Sequence, residues 1–470
     1  MRTAARWKRM TAVLLTLVLV VAAAPCRAQA EEYWPEGPEI ASPSAVVMEV
    51  NTGTVLYAKN SHEQLYPASI TKIMTALLAI ENCKLDETVV FSKDAVYKNE
   101  GNTSHIARDY NELMTMEECL FAVLLMSANE CAYAVAEHVG EKLGGDYSTF
   151  IDLMNARAKE LGCENTHFNN CNGLPDEEHV VSAHDMAVIA SEAYRNETFR
   201  IISGTTTYTI PPTNKHEDPT YCYNHHRMIY PWKGERKYLW EYATGGKTGY
   251  TNAAKNTLVT YAEKDGLTLV CVVMRADAPD HYQDTRTLLD YCFENFHAMN
   301  ILENETRLES GNLENTGILN DNGAFVSLDQ NAYIVMPRAA EFLDAAYELR
   351  KFDNTDDSMA RLTYTYHERM VGQAEIVATK ATVERDRFYQ PEVVPELPPD
   401  DVRVIELKPE MIALALLALV VVVLCVYFGK KLYDNFYVIR HRREVRRIQK
   451  ERFKVKEIKK RYRKRDRMFR

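Results

Sequence analysis

The chain reads as an α+β protein: an antiparallel sheet flanked by helices, followed by a small β-rich domain and a C-terminal transmembrane helix. Three observations carry this reading. Strand-like alternation lies near both ends of the first 300 residues, with helical periodicity between. After residue 300 the helical signal gives way to short alternating segments. Residues 411–428 are 18 consecutive apolar or weakly polar residues, and at about 1.5 Å per residue they reach about 27 Å, close to the thickness of a bilayer core.

In chain order, Arg2, Arg6, Lys8 and Arg9 precede an apolar run over 10–24 and the small-residue site Ala28-Gln29-Ala30. Residues 1–30 therefore read as a secretory signal peptide. Residues 44–60 alternate around Asn51-Thr52-Gly53, the pattern of a β-hairpin. A helix is expected from about Ser69. Residues 116–140 and 147–161 have helical periodicity, and Ser182 caps a further helix over 182–194, with Asp185 at its N3 position. Residues 257–262 and 268–274 form a second hairpin, and 285–296 a closing helix. These elements make a first domain over 36–300. Alternating segments at 324–328, 332–336, 362–366 and 374–378 place a β-rich domain at 302–392. A stretch rich in proline and acid leads to a stalk over 393–410, then the membrane helix over 411–428 and a basic tail over 429–470.

Residues 430–470 hold 19 Lys/Arg against five Asp/Glu, so the positive-inside rule puts the tail in the cytoplasm and the preceding domains outside the cell. Val445, Ile448, Val455 and Tyr462 recur among these cations; they fit either a helix lying on anionic lipid or a solvated charge run. The net charge of −10 hides a strongly acidic middle between basic ends, which argues against nucleic acid as a partner. Eight cysteines between signal and anchor are too sparse for a disulfide framework; Cys163 and Cys171 are either a pair or free thiols. His216, His225 and His226 lack metal-ligand spacing, so no metal site is expected. Met114, Met116 and Met126 read as core.

Three clusters carry chemistry. Ser69-Ile70-Thr71-Lys72 sets a hydroxyl and an amine three residues apart, on one face of a helix start. A lysine of depressed pKa can take the serine proton, making Ser69 a nucleophile toward a carbonyl and Lys72 its base. Ser127-Ala128-Asn129 follows on a helical stretch over 120–139. There Ser127 can relay a proton to a leaving amine, and Asn129 can hold a substrate amide and orient Lys72. Lys247-Thr248-Gly249 follows Gly245-Gly246 and precedes a strand-like run: Lys247 adds positive field that keeps Lys72 neutral and attracts a carboxylate, Thr248 offers that carboxylate a hydroxyl, and Gly249 lets substrate lie close along the strand edge. The backbone N–H groups of Ser69 and Tyr250 are candidate oxyanion donors. Singly, each cluster has an ordinary structural reading as a cap, a polar helix face or a turn.

Together, in this order, they form a signature already known for penicillin-binding proteins and class A β-lactamases. With Asn51-Thr52-Gly53-Thr54-Val55-Leu56-Tyr57, Pro67-Ala68, Ile73-Met74-Thr75, Met154-Asn155, Leu161-Gly162, Asn172-Gly173-Leu174 and Gly246 to Thr251, the chain resembles the low-molecular-weight penicillin-binding proteins that are serine-type D-alanyl-D-alanine carboxypeptidases. That resemblance implies a transpeptidase-like catalytic domain without metal or organic cofactor. It implies peptidoglycan pentapeptide stems as substrate, trimmed through an acyl-enzyme, and β-lactams as covalent inhibitors. Localisation would be at the cell membrane, single-pass, with the catalytic domain extracytoplasmic. Three departures bear on substrate preference: Ala128 and Glu130 within Ser127–Glu130, a longer segment between Tyr223-Asn224-His225-His226 and Lys247, and His281 where an arginine usually grips the substrate carboxylate. With His281 that grip becomes weaker and pH-dependent. A serine β-lactamase and a non-catalytic penicillin-binding wall protein are the alternatives; Cys163-Glu164-Asn165-Thr166-His167 does not fit the deacylating carboxylate pattern of a class A β-lactamase.

Overall fold

A computed structural model describes residues 34–98, 103–307, 325–328, 331–351 and 358–379. The signal peptide, stalk, membrane helix and basic tail expected from sequence lie outside these residues. Among the described residues no helix is long and apolar enough to cross a membrane.

The first hairpin forms as expected from β1 (Ser44–Glu49) and β2 (Val55–Lys59), with Ala45 opposite Lys59. A 3₁₀ turn over Ala68–Thr71 leads into α1 (Lys72–Asn82), so Ser69 sits just ahead of the α-helix. The short strands β3 (Thr88–Val90) and β4 (Leu113–Thr115) pair around α2 (Lys93–Tyr97). The single helix expected over 116–140 is two helices, α3 (Met116–Leu125) and α4 (Asn129–Lys142). The break falls at Ser127, whose φ of +60° is left-handed, and the Asn129 N–H donates to Ser104 O at 2.9 Å. Apolar periodicity runs through the break, so the pattern hides it; Ser and Asn are the residue types that let the backbone leave a helix there.

Next come α5 (Tyr147–Glu160), α6 (Ala183–Arg195) and α7 (Glu197–Gly204). Ser182 caps α6 as expected, its Oγ accepting from the Asp185 N–H at 3.1 Å. The hairpin β5 (Thr207–Ile210) and β6 (Thr220–Tyr223) precedes the three long strands β7 (Ala243–Thr251), β8 (Lys255–Lys264) and β9 (Leu267–Ala276). Helix α8 (Asp280–Asn295) starts five residues before the expected closing helix.

The main sheet has the order β2-β1-β9-β8-β7, every pair antiparallel. Strand alternation divides it between two cores. Val46, Met48, Val259, Tyr261, Val270 and Val272 face a core shared with α1 and α3–α7, while Ala45, Val47, Leu258, Leu269, Cys271 and Val273 face α8, Met228 and Trp240. Covered on both faces, β1 is buried at all six positions. Helix α1 lies deep in the first core, buried from Lys72 through Ala79.

Beyond α8, β10 (Phe296–Asn300) and the turn α9 (Ile301–Asn304) lead to the β-rich part. There β11 (Phe325–Leu328), β12 (Tyr333–Pro337), β13 (Ala346–Lys351), β14 (Ser358–Tyr366) and β15 (Arg369–Thr379) make a β10-β12 pair and a β11-β15-β14-β13 sheet. They enclose a separate core of Ile334, Met336, Phe342, Leu362, Tyr364 and Val371. Of these strands β10 and β13 were not expected; β11, β12, β14 and β15 fall close to the expected segments.

Glu49 ties the two parts together. Its Oε2 accepts from the N–H groups of Asn51 (3.0 Å) and Thr52 (2.7 Å) and from Thr52 Oγ1 (2.8 Å), while its Oε1 accepts from the Tyr333 hydroxyl at 2.6 Å. The carboxylate is fully buried. Glu49→Ala leaves those donors without an acceptor and is expected to cost about 3 kcal/mol, read from the chemical denaturation midpoint; Tyr333→Phe, which removes one bond, costs about 1 kcal/mol.

Candidate active site

The Ser69 turn is built from backbone contacts. Ala68 has a left-handed φ of +52°, and its carbonyl accepts from Thr71 Oγ1 at 2.9 Å. Thr257 Oγ1 on β8 donates to Pro67 O at 2.7 Å, anchoring the turn to the sheet. Two glycines let neighbouring segments close on it. A Cβ at Gly249 would lie 2.9 Å from Ser69 N, and one at Gly173, where φ is +85°, only 1.8 Å from Ala68 O. Larger side chains would push either segment away.

Lys72 is fully buried, with Nζ 3.1 Å from Ser69 Oγ. It also donates to Asn129 Oδ1 and to Asn172 O, each at 2.7 Å. Burial pushes its pKa down to about 7, against smaller opposing effects from Cys171, Glu130 and Cys131. A neutral amine has two N–H groups and one lone pair. Asn129 and Asn172 take the two N–H groups, which leaves the lone pair for the Ser69 hydroxyl proton.

Sequence reasoning assigned the depressed pKa of Lys72 to the field of Lys247; desolvation is its leading cause instead. Lys247 is itself buried, and its Nζ donates to Thr248 O at 2.6 Å. Its pKa is pushed well down, by burial first and by the Lys72 charge second. Lys247 shares the strand face of Gly249 that is turned toward Ser69 and is buried there, whereas Thr248, Gly249 and Tyr250 line the cleft.

That cleft encloses about 880 Å³, with Ser69, Ser127 and Asn129 in its walls. The left-handed φ of Ser127 leaves its buried Oγ with no hydrogen-bond partner among the described residues. Glu130, the next acid, turns away and accepts from the Ile106 N–H at 2.6 Å; burial raises its pKa. With the Asn129–Ser104 bond, this pins the wall that contains Thr103 and Ser104.

The far end of the cleft is formed by Arg227, Tyr238, Pro279, His281 and Tyr282. The segment before Lys247 supplies the first two, and its Trp240 and Met228 pack into the outer core. The rings of Tyr238 and Tyr282 stack 5.0 Å apart. Burial pushes the His281 pKa down to about 4, so the imidazole is neutral at physiological pH and its titration lies far below the range expected for a histidine switch.

Other sequence features resolve into structure. Asn224 Nδ2 donates to Ser203 O and Thr205 O, and His226 packs beneath β7, with Nε2 2.9 Å from Thr260 Oγ1. His225 lines the cleft, while His216 faces Asp109 and Glu112. Cys163 and Cys171 are both free thiols, as are the other six described cysteines. The residues missed from sequence include Asn172, which acts through a backbone carbonyl, and His179, which bonds Thr71 from beneath the turn.

Residues 31–278 match the family described as D-alanyl-D-alanine carboxypeptidase. The D-alanyl-D-alanine carboxypeptidase DacF of Bacillus subtilis (strain 168) is 35% identical over 297 residues, covering 62% of this chain and 72% of that protein. The D-alanyl-D-alanine carboxypeptidase of Streptomyces sp. (strain K15) is 31% identical over 266 residues, covering 54% of this chain and 88% of that protein. The crystal structure of the Streptomyces K15 DD-transpeptidase is similar with a TM-score of 0.50 and 28% identity, over 55% of this chain and all of that one. With the family match spanning more than half its length, this chain belongs to the D-alanyl-D-alanine carboxypeptidase family.

Proposed function

We propose that this protein is a serine D-alanyl-D-alanine carboxypeptidase of peptidoglycan. The observation that carries the reading is the Lys72 amine, which is buried, pushed to about neutral pKa and, with both N–H groups donated to Asn129 and Asn172, lies 3.1 Å from the Ser69 hydroxyl. Ser69 gives its proton to Lys72 and attacks the carbonyl carbon of the penultimate D-alanine. The oxyanion is met by the Ser69 N–H just ahead of α1, where the helix dipole favours negative charge, and by the Tyr250 N–H on β7. Ser127 passes a proton to the departing D-alanine nitrogen, and water then hydrolyses the acyl-enzyme. Asn129 and Thr248 hold the peptide, Gly249 lets it approach β7, and Lys247 attracts its carboxylate. His281 contributes to that end as a neutral imidazole. A β-lactam presents a strained amide to the same serine and stays attached as a covalent inhibitor.

Residues 163–167 do not line the cleft, which favours a carboxypeptidase over a β-lactamase with a built-in deacylating carboxylate. The separate cores support a catalytic domain over 36–300 and a β-rich domain over 302–392. The apolar run over 411–428 and the basic tail support a membrane-anchored enzyme whose catalytic domain faces the wall, after removal of a signal over 1–30.

Ser69→Ala is expected to abolish both fluorescent-penicillin labelling and D-alanine release from a synthetic peptide ending in D-Ala-D-Ala; retained release refutes the reading, and rapid penicillin turnover by the wild type turns it toward a β-lactamase. A base must be unprotonated to act. Since the Lys72 pKa is lowered to about 7, acylation should rise with pH through about 7 and fall below it. No second inflection is expected between pH 5 and 6.5, because His281 is already neutral there. Truncation before residue 411 should move the protein from the membrane fraction to the medium, measured by immunoblot of fractionated cells.

A further inference from the structure

The turn that carries Ser69 is held from below by a hydrogen-bond relay with a single possible direction. The backbone N–H groups of Asn169 and Asn170 point at His179 Nδ1, at 2.9 and 3.3 Å. A backbone N–H cannot accept, so Nδ1 is the acceptor and the ring proton resides on Nε2. Nε2 lies 2.9 Å from Thr71 Oγ1, so the imidazole donates to the hydroxyl, and the hydroxyl donates onward to Ala68 O at 2.9 Å. Both ring nitrogens are used, and His179 is 1% exposed.

The relay ends on a strained atom. Ala68 is an L-residue held at φ +52°, and its carbonyl is pressed against Gly173. Released from its acceptor role, this peptide could relax toward ordinary backbone and carry the Ser69 N–H and Oγ with it. The same 169–174 segment supplies the Asn172 carbonyl to Lys72 and the Cys171 carbonyl to Thr75 Oγ1, at 2.7 and 2.6 Å. His179 therefore fixes the nucleophile turn and the acceptor of the base relative to each other.

We propose that His179 is a positioning residue for acylation, acting through Thr71 to hold the Ser69 turn in reactive geometry. This rests on the carboxypeptidase reading above. Burial pushes the imidazole pKa down to about 4, with Asp176 opposing and His167 and Lys72 reinforcing, so the neutral donor form persists across the working pH.

The test uses the full-length protein and measures the maximal rate of Ser69 acylation by a fluorescent penicillin, together with its apparent binding constant. His179→Ala should lower the maximal rate about tenfold or more, with binding changed less than about threefold, because a misplaced nucleophile costs rate rather than affinity. Gln can place an N–H where Nε2 stands, whereas Asn reaches only the Nδ1 position. His179→Gln should therefore recover most of the rate and His179→Asn should not. Thr71→Val should match His179→Ala, and the double variant should be no slower than either single one. Circular dichroism and thermal melting normalise each rate to folded protein. A His179→Ala rate equal to wild type, equal behaviour of the Gln and Asn variants, or additive losses in the double variant would each overturn the proposal. A wild type that neither takes penicillin nor releases D-alanine overturns the carboxypeptidase reading as well; a reactive wild type with an equally reactive His179→Ala variant overturns only the positioning role.

Discussion

A lysine amine taken out of water sets the terms for the rest of this molecule. Keeping Lys72 at 0% exposure requires a helix that is apolar on nearly every side, which in turn requires neighbours all around it. Helices α3 and α4 cover one flank, α6 and α7 another, and the segment 169–174 closes the third. Because a buried polar hydrogen must find an acceptor, two of those neighbours also have to bring oxygen. Asn129 brings it on a side chain at the first residue of α4, and Asn172 brings it on the backbone. The interruption at Ser127 belongs to the same requirement, since a continuous helix would not begin a new one with Asn129 facing Lys72.

Around that amine the chain uses close backbone approach where most sites use side chains. Ala68, Gly173 and Gly249 bring three separate segments almost into contact at the Ser69 turn. The left-handed conformations of Ala68 and Ser127 store strain of about 1–2 kcal/mol each, and it is retained because the surroundings leave those peptides no other place. Part of the stability supplied by the two large cores is in this sense spent on holding the cleft open.

The legible part of the molecule was the part written in side chains and alternation. Ser69, Lys72, Asn129 and Thr248 carry their chemistry in residue type, and they come together at one cleft or directly behind it. The two hairpins of the main sheet, and Ser182 at the head of α6, follow from local pattern. Other features have no residue signature. Any residue could present the carbonyl that Asn172 turns to Lys72, and the Ser104 carbonyl that receives the Asn129 N–H is equally anonymous. Helical periodicity masked the break at Ser127 because both flanking helices bury the same kind of apolar face. Burial also altered the electrostatics read from charge alone: Lys72 is lowered mainly by desolvation, and His281 is neutral where a histidine switch was expected.

Cys171 stands one residue before Asn172, close enough to Lys72 for their charges to interact. Sulfur is intrinsically the better nucleophile, so its nearness raises a question of chemoselectivity. Burial pushes the Cys171 pKa up to about 12, as it does for Cys163 and Cys271. At neutral pH about one such thiol in 10⁵ is ionised, and Cys171 has no exposed surface from which to react. The same desolvation therefore has opposite effects on two neighbours: it deprotonates the amine and protects the thiol. An electrophile entering the cleft is sorted by ionisation state, oxygen before sulfur.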